Sequence, residues 1–193
     1  MSRLPLLDPA TVTNAAKPLL DAVGKKLGRV PNLFRGLANA PAALKAYLDF
    51  SGALAGGVLP ARTREQIALT VGEVNGCDYC VAAHSAIGGS LGLSADAQLA
   101  ARVAKADDAR TTAILRFARA VVLQRGLVSD ADLREVRTAG VSDAEVTETI
   151  ATVALNVFTN WFNHVAATPV DFPAVAPLAP AYAVACSTAT CAS

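Results

Sequence analysis

Two thiols and one imidazole stand close together in the segment NGCDYCVAAHS, residues 75–85. The chain has four Cys and two His, so this segment holds half of each. Cys80 follows Cys77 by three positions, and His84 follows Cys80 by four. On a helix these spacings can place the three side chains along one face, where the imidazole can take a proton from a thiol. The pattern therefore predicts a redox site, and a metal clip, a structural disulfide and inert core are the other interpretations.

A helix start is predicted at the cysteines. The stretch 60–74 has the pattern of an amphipathic helix that begins at a proline, and Asn75-Gly76 is a strong helix terminator. Cys77 then lies near the N-cap of the next helix, and Cys80 lies in its first turn. Unpaired amide groups and the helix dipole favour a negative charge there, and CxxC motifs at helix starts have lowered thiol pKa values. A reactive thiolate is the expected consequence.

Glu65 lies on the helix predicted before the cysteines. If the intervening turn folds the two helices back on each other, its carboxylate can reach the imidazole of His84. The simpler interpretation of Glu65 is a solvated residue or a partner of Arg62 or Lys25. Two thiolates, an imidazole and a carboxylate also form a plausible zinc shell, although three of these ligands would come from one helix. A zinc-binding protein therefore stays open as an alternative.

The composition limits the classes of function. Hydrophobic residues make up 53% of the chain and charged residues 17%, with a net charge of +1 and scattered basic residues. This charge pattern excludes an electrostatic nucleic-acid binder, and the low charge density favours a homo-oligomer. Prolines interrupt both the N-terminal apolar patch and the uncharged C-terminal stretch, so neither a signal peptide nor a membrane anchor is expected. We expect a cytoplasmic protein, where a cysteine pair is more often redox-active than stapling.

The hydrophobic spacing and the helix caps predict an all-α fold of one domain over residues 1–172, followed by an Ala/Pro-rich tail over 173–193. Asp8-Pro9 predicts the start of a first helix that runs to about Lys26. Ser129 and Ser142 each begin a capping-box pattern, and the last long helix is expected from about Asp143 to Ala167. In the tail, Cys186 and Cys191 have no nearby His or acid and are interpreted as inert thiols.

The set Glu65, Cys77-Asp78-Tyr79-Cys80 and His84 resembles the active-site signature of the alkylhydroperoxidase D-like proteins of the carboxymuconolactone decarboxylase superfamily. The flanking stretches GRVPNLFRGLANAPAALKAYLDFSGAL and NVFTNWFNHVAATPVDFP are similar to the peroxidase-related branch of that family. The resemblance covers about Val30 to Pro173. It implies a compact all-α fold, a trimer or hexamer, and a thiol peroxidase in antioxidant defence that needs no haem, flavin or other cofactor.

By the same resemblance, Cys80 is the peroxidatic thiol, Cys77 the resolving thiol, His84 the base and Glu65 the carboxylate of the proton relay. The substrate is a hydroperoxide, and an external dithiol, of lipoyl type in the best-known member, reduces the disulfide. Tyr79 stands where that member has a second His between the cysteines. A general dithiol oxidoreductase and a muconolactone decarboxylase are the remaining alternatives, although decarboxylation does not call for a CxxC pair.

Overall fold

The computed structural model describes residues 2–178 of the chain, and within these residues the secondary structure is nine α-helices without a strand. The helices are α1 Lys17–Leu27, α2 Asn32–Leu37, α3 Pro41–Ala55, α4 Ala61–Val74, α5 Asp78–Ser90, α6 Ala95–Arg102, α7 Ala109–Leu123, α8 Asp130–Thr138 and α9 Asp143–Ala166. The predicted all-α fold class is confirmed. The predicted inert thiols Cys186 and Cys191 lie outside the described residues.

Local sequence signals set most helix bounds. Ser129 and Ser142 both form capping boxes, because each serine accepts from the backbone of the third helical residue while the acidic side chain there accepts from the serine N–H. Pro31 and Pro60 are the N-caps of α2 and α4. The last helix begins at the expected Asp143 and ends one residue before the expected position.

The predicted start of α1 is wrong, because the helix begins at Lys17 rather than at Asp8-Pro9. Asp8 does cap a turn, since its Oδ1 accepts from the Ala10 N–H at 2.9 Å. Asn14 Oδ1 then accepts from the N–H of Ala16 at 2.8 Å, just before the helix. Residues 11–14 are Thr-Val-Thr-Asn, which favour turns and extended backbone over helix, so the first turn is not propagated.

Helix α4 is central to the fold, because it packs against α5, α6, α7 and α9. One apolar cluster lies among α4, α7, α8 and α9, with Ile67 and Leu115 among its fully buried members. A second cluster joins α1, α2 and α3 to one side of α5, and it contains both Cys77 and Cys80. The cysteines therefore lie where the N-terminal helices close over the central helix pair.

The long helix α9 has an outer face and an inward face. It packs mainly against α4, α7, α3 and α5. Its outer face carries exposed apolar side chains, with Trp161 at 65% and Val165 at 66% exposure. Its inward face carries buried polar residues, namely Thr149, Thr152, Asn156, Thr159, Asn160 and Asn163. Among the described residues, no helix is both long and apolar enough to cross a membrane.

Candidate active site

Cys77 and Cys80 form a disulfide at the start of α5, with their Cα atoms 5.3 Å apart. Asn75 closes α4, and Gly76 takes a left-handed conformation with φ of 63°, which turns the chain into the next helix. Cys77 is the N-cap of α5, and its sulfur accepts from the Cys80 N–H at 3.3 Å. The predicted helix start is confirmed. Both cysteines are nearly buried, with exposures of 2% and 3%.

His84 and Glu65 are in direct contact across the α4–α5 pair. The imidazole Nδ1 lies 2.7 Å from Glu65 Oε2, and the two side chains are 20% and 17% exposed. The turn therefore brings the carboxylate to the imidazole as the sequence predicted, and not to Arg62 or Lys25. With Nδ1 engaged by the carboxylate, Nε2 is the ring nitrogen left for other partners.

Cys80 and His84 both line a cavity of about 260 Å³. Most of the wall is apolar, because it is built from aliphatic and aromatic side chains of α2, α3, α5 and the segment after α9: Leu33, Phe34, Tyr47, Tyr79, Ala83, Ile87 and Phe172. Burial, helped by the Glu65 carboxylate, raises the pKa of Tyr47 to about 12. Tyr47 is therefore a neutral hydroxyl at physiological pH, and the cavity offers an apolar compartment beside the sulfur and the imidazole.

Tyr79, between the two cysteines, is held in place by the surrounding structure. Its hydroxyl accepts from the backbone N–H of Leu33 at 3.0 Å, and its ring meets Phe172 edge to face at 5.7 Å between centroids. Burial raises the pKa of the Tyr79 hydroxyl well above its ordinary value. A phenol held in this way is a packing element at neutral pH, so it does not replace the proton-carrying role of a histidine.

The segment after α9 closes one side of the cavity. The guanidinium of Arg29 lies 4.4 Å from the centroid of the Phe172 ring and also pairs with Asp171 at 2.8 Å. The same Asp171 carboxylate accepts from the backbone N–H of Asn32 at 3.0 Å. These contacts fix Phe172 against Tyr79, so Phe172 closes the wall next to the cysteines.

Cys77 lines a different and smaller pocket of about 80 Å³. Arg102 and Glu73 form an ion pair at 2.7 Å in this pocket, and Val175 and Pro177 cover it. The Arg102 guanidinium also donates to the Ala176 carbonyl at 2.9 Å. The two sulfurs of the motif therefore adjoin separate cavities, one mostly apolar and one lined by charged groups.

Sequence reasoning missed two residues of α9 that support the site, Asn163 and Asn160. Asn163 Nδ2 donates to Cys80 Sγ at 3.3 Å. Asn160 Oδ1 accepts from Asn75 Nδ2 at 2.7 Å, and His164 Nε2 lies 2.9 Å from the Asn75 carbonyl oxygen. The signal for both was present, since Asn156, Asn160 and Asn163 recur at helical spacing within an otherwise apolar helix.

The zinc alternative has little support from the arrangement of side chains. Within residues 2–178, no group of three or more His, Cys, Asp or Glu side chains is arranged to hold a metal ion. The two sulfurs are bonded to each other. Glu65 and His84 make a pair rather than the third and fourth members of a tetrahedral set.

Comparisons with known proteins agree with this fold. Residues 41–124 match the model of the carboxymuconolactone decarboxylase family. The crystal structure of an alkylhydroperoxidase AhpD core, an uncharacterized peroxidase-related protein from Ralstonia eutropha JMP134, is 28% identical with a TM-score of 0.80, and the match covers 88% of this chain and 92% of that chain. A peroxidase-related protein from Silicibacter sp. TM1040 is 25% identical with a TM-score of 0.75, covering 86% and 89% of the two chains.

The debrominase Bmp8, solved as a C82A variant with 2,3,4-tribromopyrrole, is 19% identical with a TM-score of 0.73, and the match covers 89% of this chain and 94% of that chain. At that identity the similarity shows the shared fold alone. No curated protein matches the chain. The fold and the cysteine site define an all-α protein with a dithiol centre. In sequence and fold, the chain is similar to the alkylhydroperoxidase D-like and carboxymuconolactone decarboxylase superfamily.

Proposed function

We propose that this protein is a thiol peroxidase that reduces hydroperoxides through a dithiol/disulfide cycle of Cys77 and Cys80. The observation that carries the proposal is the Cys77–Cys80 disulfide, whose Cys80 shares one apolar cavity with the Glu65–His84 pair. A sulfur, a proton acceptor and a compartment for an organic peroxide are then adjacent. The similarity to peroxidase-related proteins adds support of a coarser kind.

Oxidation of Cys80 is the first chemical step. His84 takes the proton of the reduced Cys80 thiol, and the Glu65 carboxylate at Nδ1 stabilises the resulting imidazolium. The thiolate attacks the terminal oxygen of the hydroperoxide, so an S–O bond forms and the O–O bond breaks. Cys80 becomes a sulfenic acid, and the departing alkoxide leaves as an alcohol with the proton from His84.

Resolution and reduction complete the cycle. The Cys77 thiol attacks the sulfenic sulfur, the S–S bond forms, and the sulfenic oxygen leaves as water. An external dithiol then returns both sulfurs to thiols by exchange and is itself oxidised to a disulfide. A lipoyl-type dithiol is the partner that the family resemblance implies, and the cytoplasm is the compartment that keeps such donors reduced. No cofactor enters any of these steps.

Mass spectrometry of the reduced protein before and after one equivalent of cumene hydroperoxide tests the proposal. Cys186→Ser and Cys191→Ser remove the tail thiols from the assay. In that background we expect a Cys77–Cys80 disulfide, and with Cys77→Ser added we expect a sulfenic acid on Cys80. Serine keeps an N-cap acceptor at position 77, so the helix start is retained. Unaltered thiols after peroxide treatment would overturn the proposal.

A general dithiol oxidoreductase is the second candidate, because the disulfide alone also suits exchange with protein or small-molecule disulfides. The apolar cavity beside Cys80 favours a peroxide over a bulky protein disulfide. The two candidates differ in their oxidant. A reduced protein that reacts faster with a model disulfide than with cumene hydroperoxide at equal concentration would favour the oxidoreductase.

The proposed active form is a homo-oligomer, a trimer or hexamer. The outer face of α9 exposes Phe158, Trp161 and Val165 at 41%, 65% and 66%, an apolar surface that a partner copy could cover. Light scattering coupled to size-exclusion chromatography measures the mass directly. A protein that remains a monomer at micromolar concentration would contradict this part of the proposal.

A further inference from the structure

Asn163 is the polar side chain of α9 that contacts the reactive sulfur. Its Nδ2 donates to Cys80 Sγ at 3.3 Å, and the residue is 5% exposed. It lines the same cavity as Cys80 and His84. Its Oδ1 is buried and has no hydrogen-bond partner within the described part of the chain. One end of this amide is therefore occupied by the sulfur, and the other is a buried acceptor without a partner.

We propose that Asn163 is a catalytic residue that binds the nucleophile and the substrate with the two ends of one amide. Nδ2 donates to the Cys80 sulfur, and Oδ1 accepts from the O–H of a bound hydroperoxide. This inference rests on the proposed peroxidase function for its second half. Its first half concerns the Cys80 thiolate alone and holds for any chemistry of that sulfur.

The Nδ2 contact favours the ionised form of Cys80. A hydrogen bond to a charged acceptor is stronger than the same bond to a neutral one, so a fixed amide N–H stabilises the thiolate more than the thiol. The α5 N-terminus acts in the same direction, because Cys80 lies in its first turn. Asn163 adds a donor from a different helix, and this donor does not depend on how the α5 backbone frays.

The Oδ1 atom is the acceptor that the proposal assigns to the hydroperoxide O–H. A buried acceptor without a partner is uncommon, because leaving it unsatisfied destabilises the fold. A hydroperoxide can supply the missing donor through its terminal O–H. Oδ1 and Nδ2 belong to one amide, so in the proposal an O–H that binds Oδ1 brings its oxygen toward the sulfur that Nδ2 contacts.

The reaction is balanced with Asn163 in this role. As the thiolate attacks, the S–O bond forms and the O–O bond breaks, while the hydrogen stays on the terminal oxygen. That hydrogen becomes the sulfenic O–H of Cys80, so Oδ1 can accept from it before and after the step. The alkoxide released on the other side takes its proton from His84. The amide gives up and gains no proton and changes no oxidation state.

The orientation of Asn163 is supported by its own helix. Asn160 and His164, on either side of it, both bind Asn75 in the turn before the cysteines. Asn156 is the matched comparison on the same helix, because it is also 5% exposed but donates to the Thr152 carbonyl of its own helix at 2.8 Å. Replacing Asn156 removes a buried amide of equal exposure without touching the sulfur.

Two measurements test the proposal in a background with Cys77→Ser, Cys186→Ser and Cys191→Ser, where Cys80 is the only thiol. The first is the pH dependence of Cys80 alkylation by iodoacetamide, which reports the thiol pKa without any peroxide. We expect Asn163→Ala to move that pKa upward by about one pH unit, and Asn156→Ala to leave it in place. Asn163→Asp keeps the shape of the side chain and should move the pKa further, because it replaces a donor with a negative charge.

The second measurement is the rate of Cys80 oxidation by cumene hydroperoxide at a pH where the thiol is fully ionised in every variant. We expect Asn163→Ala to be about tenfold slower there, because full ionisation removes the effect on thiolate population, and loss of the Oδ1 contact outweighs the small gain in nucleophilicity that follows a raised thiol pKa. Circular dichroism checks that each variant is folded. If Asn163→Ala is not folded, the thiol pKa measured in Asn163→Asp tests the Nδ2 role. An unchanged thiol pKa in a folded Asn163 variant overturns the Nδ2 role, and an unchanged rate overturns the Oδ1 role. If Asn163 variants change the Cys80 pKa but the protein does not react with peroxide, the proposed function is wrong and the Nδ2 role stands.

Discussion

The two sulfurs of one short motif have different surroundings. Cys80 adjoins an apolar cavity of about 260 Å³ together with His84 and the amide of Asn163. Cys77 adjoins a pocket of about 80 Å³ that contains the Arg102–Glu73 ion pair and is also lined by Val175 and Pro177. A sulfur that reacts with a hydroperoxide needs room for an organic group and a proton acceptor, and the Cys80 side has both.

The difference shows that the CxxC spacing alone does not decide which cysteine has surroundings suited to a nucleophile. The spacing brings the sulfurs within bonding distance, and any two thiols so placed can form the disulfide. We attribute the proposed difference in roles to what packs on each side, namely α2, α3 and α9 around Cys80, and Val175 and Pro177 around Cys77. The first three predictions below each change one sulfur or its surroundings, and the last changes a site away from both.

The largest effect is expected from exchanging the sulfurs for hydroxyls one at a time. Cys80→Ser should lower peroxide consumption by at least about a thousandfold, because the nucleophile is lost. Cys77→Ser should retain one rapid oxidation of Cys80 per molecule and lose turnover, because nothing resolves the sulfenic acid. Stopped-flow mixing with cumene hydroperoxide separates the single oxidation from turnover. Equal loss of the first oxidation in both variants would remove the distinction between the two sides.

Glu65→Gln should act on the Cys80 side alone. The amide can still bind Nδ1 of His84, but it does not stabilise an imidazolium as a carboxylate does, so we expect Cys80 oxidation to slow by about tenfold to a hundredfold. The control is alkylation of Cys77 in the Cys80→Ser variant, which should change little. A similar loss at both sulfurs would indicate that Glu65 supports the helix pair rather than the proton transfer.

Ala83→Leu tests whether the cavity is the substrate compartment. Ala83 lies on the cavity wall and is 9% exposed, so a larger side chain fills space next to Cys80. We expect oxidation by cumene hydroperoxide to slow by about tenfold, while oxidation by hydrogen peroxide changes less. The ratio of the two rates is the measurement. If oxidation by both peroxides slowed equally, the substitution would have changed the reactivity of the Cys80 sulfur and not the space available to the substrate.

The smallest effect is expected at the start of α9, far from both sulfurs. Hydrogen bonds from Arg110 and Ser142 lower the pKa of Glu145, so its charged form stabilises the folded protein above its ordinary titration range, and this contribution is lost as pH falls through the folded-state pKa. Glu145→Gln should lower the free energy of unfolding at neutral pH by about 1 kcal/mol. Urea denaturation at neutral pH and near pH 3 should show the difference shrinking in acid. A loss of equal size at both pH values would point to packing instead of charge.

Sequence reasoning succeeded where the determining contacts are local. The turn at Asn75-Gly76, the N-cap position of Cys77 and the capping boxes of α8 and α9 each depend on residues within about four positions of one another. The same reasoning placed the start of α1 too early, because Asp8 caps a single turn that the following residues do not continue. A cap signal gives a possible start, and the next turn decides whether a helix forms.

The contact of Glu65 with His84 was predictable from nearly local information, since one turn joins the two helices that carry them. The contact of Asn163 with Cys80 was not, because the two residues are 83 positions apart. Helical spacing showed that the asparagines of α9 share a face. It did not show that α9 packs that face against α4 and α5.

The sequence by itself therefore determined the all-α class, the turn that places Cys77 and Cys80 at a helix start, and the set of groups able to do thiol chemistry. Only the tertiary structure decided which sulfur faces the large cavity, which amide binds that sulfur, and that Phe172 lines one pocket while Val175 and Pro177 line the other. The physical reason is the range of the interactions. Caps and turns are hydrogen bonds between neighbours in the chain, whereas a cavity wall is formed by segments whose proximity depends on the packing of the whole domain.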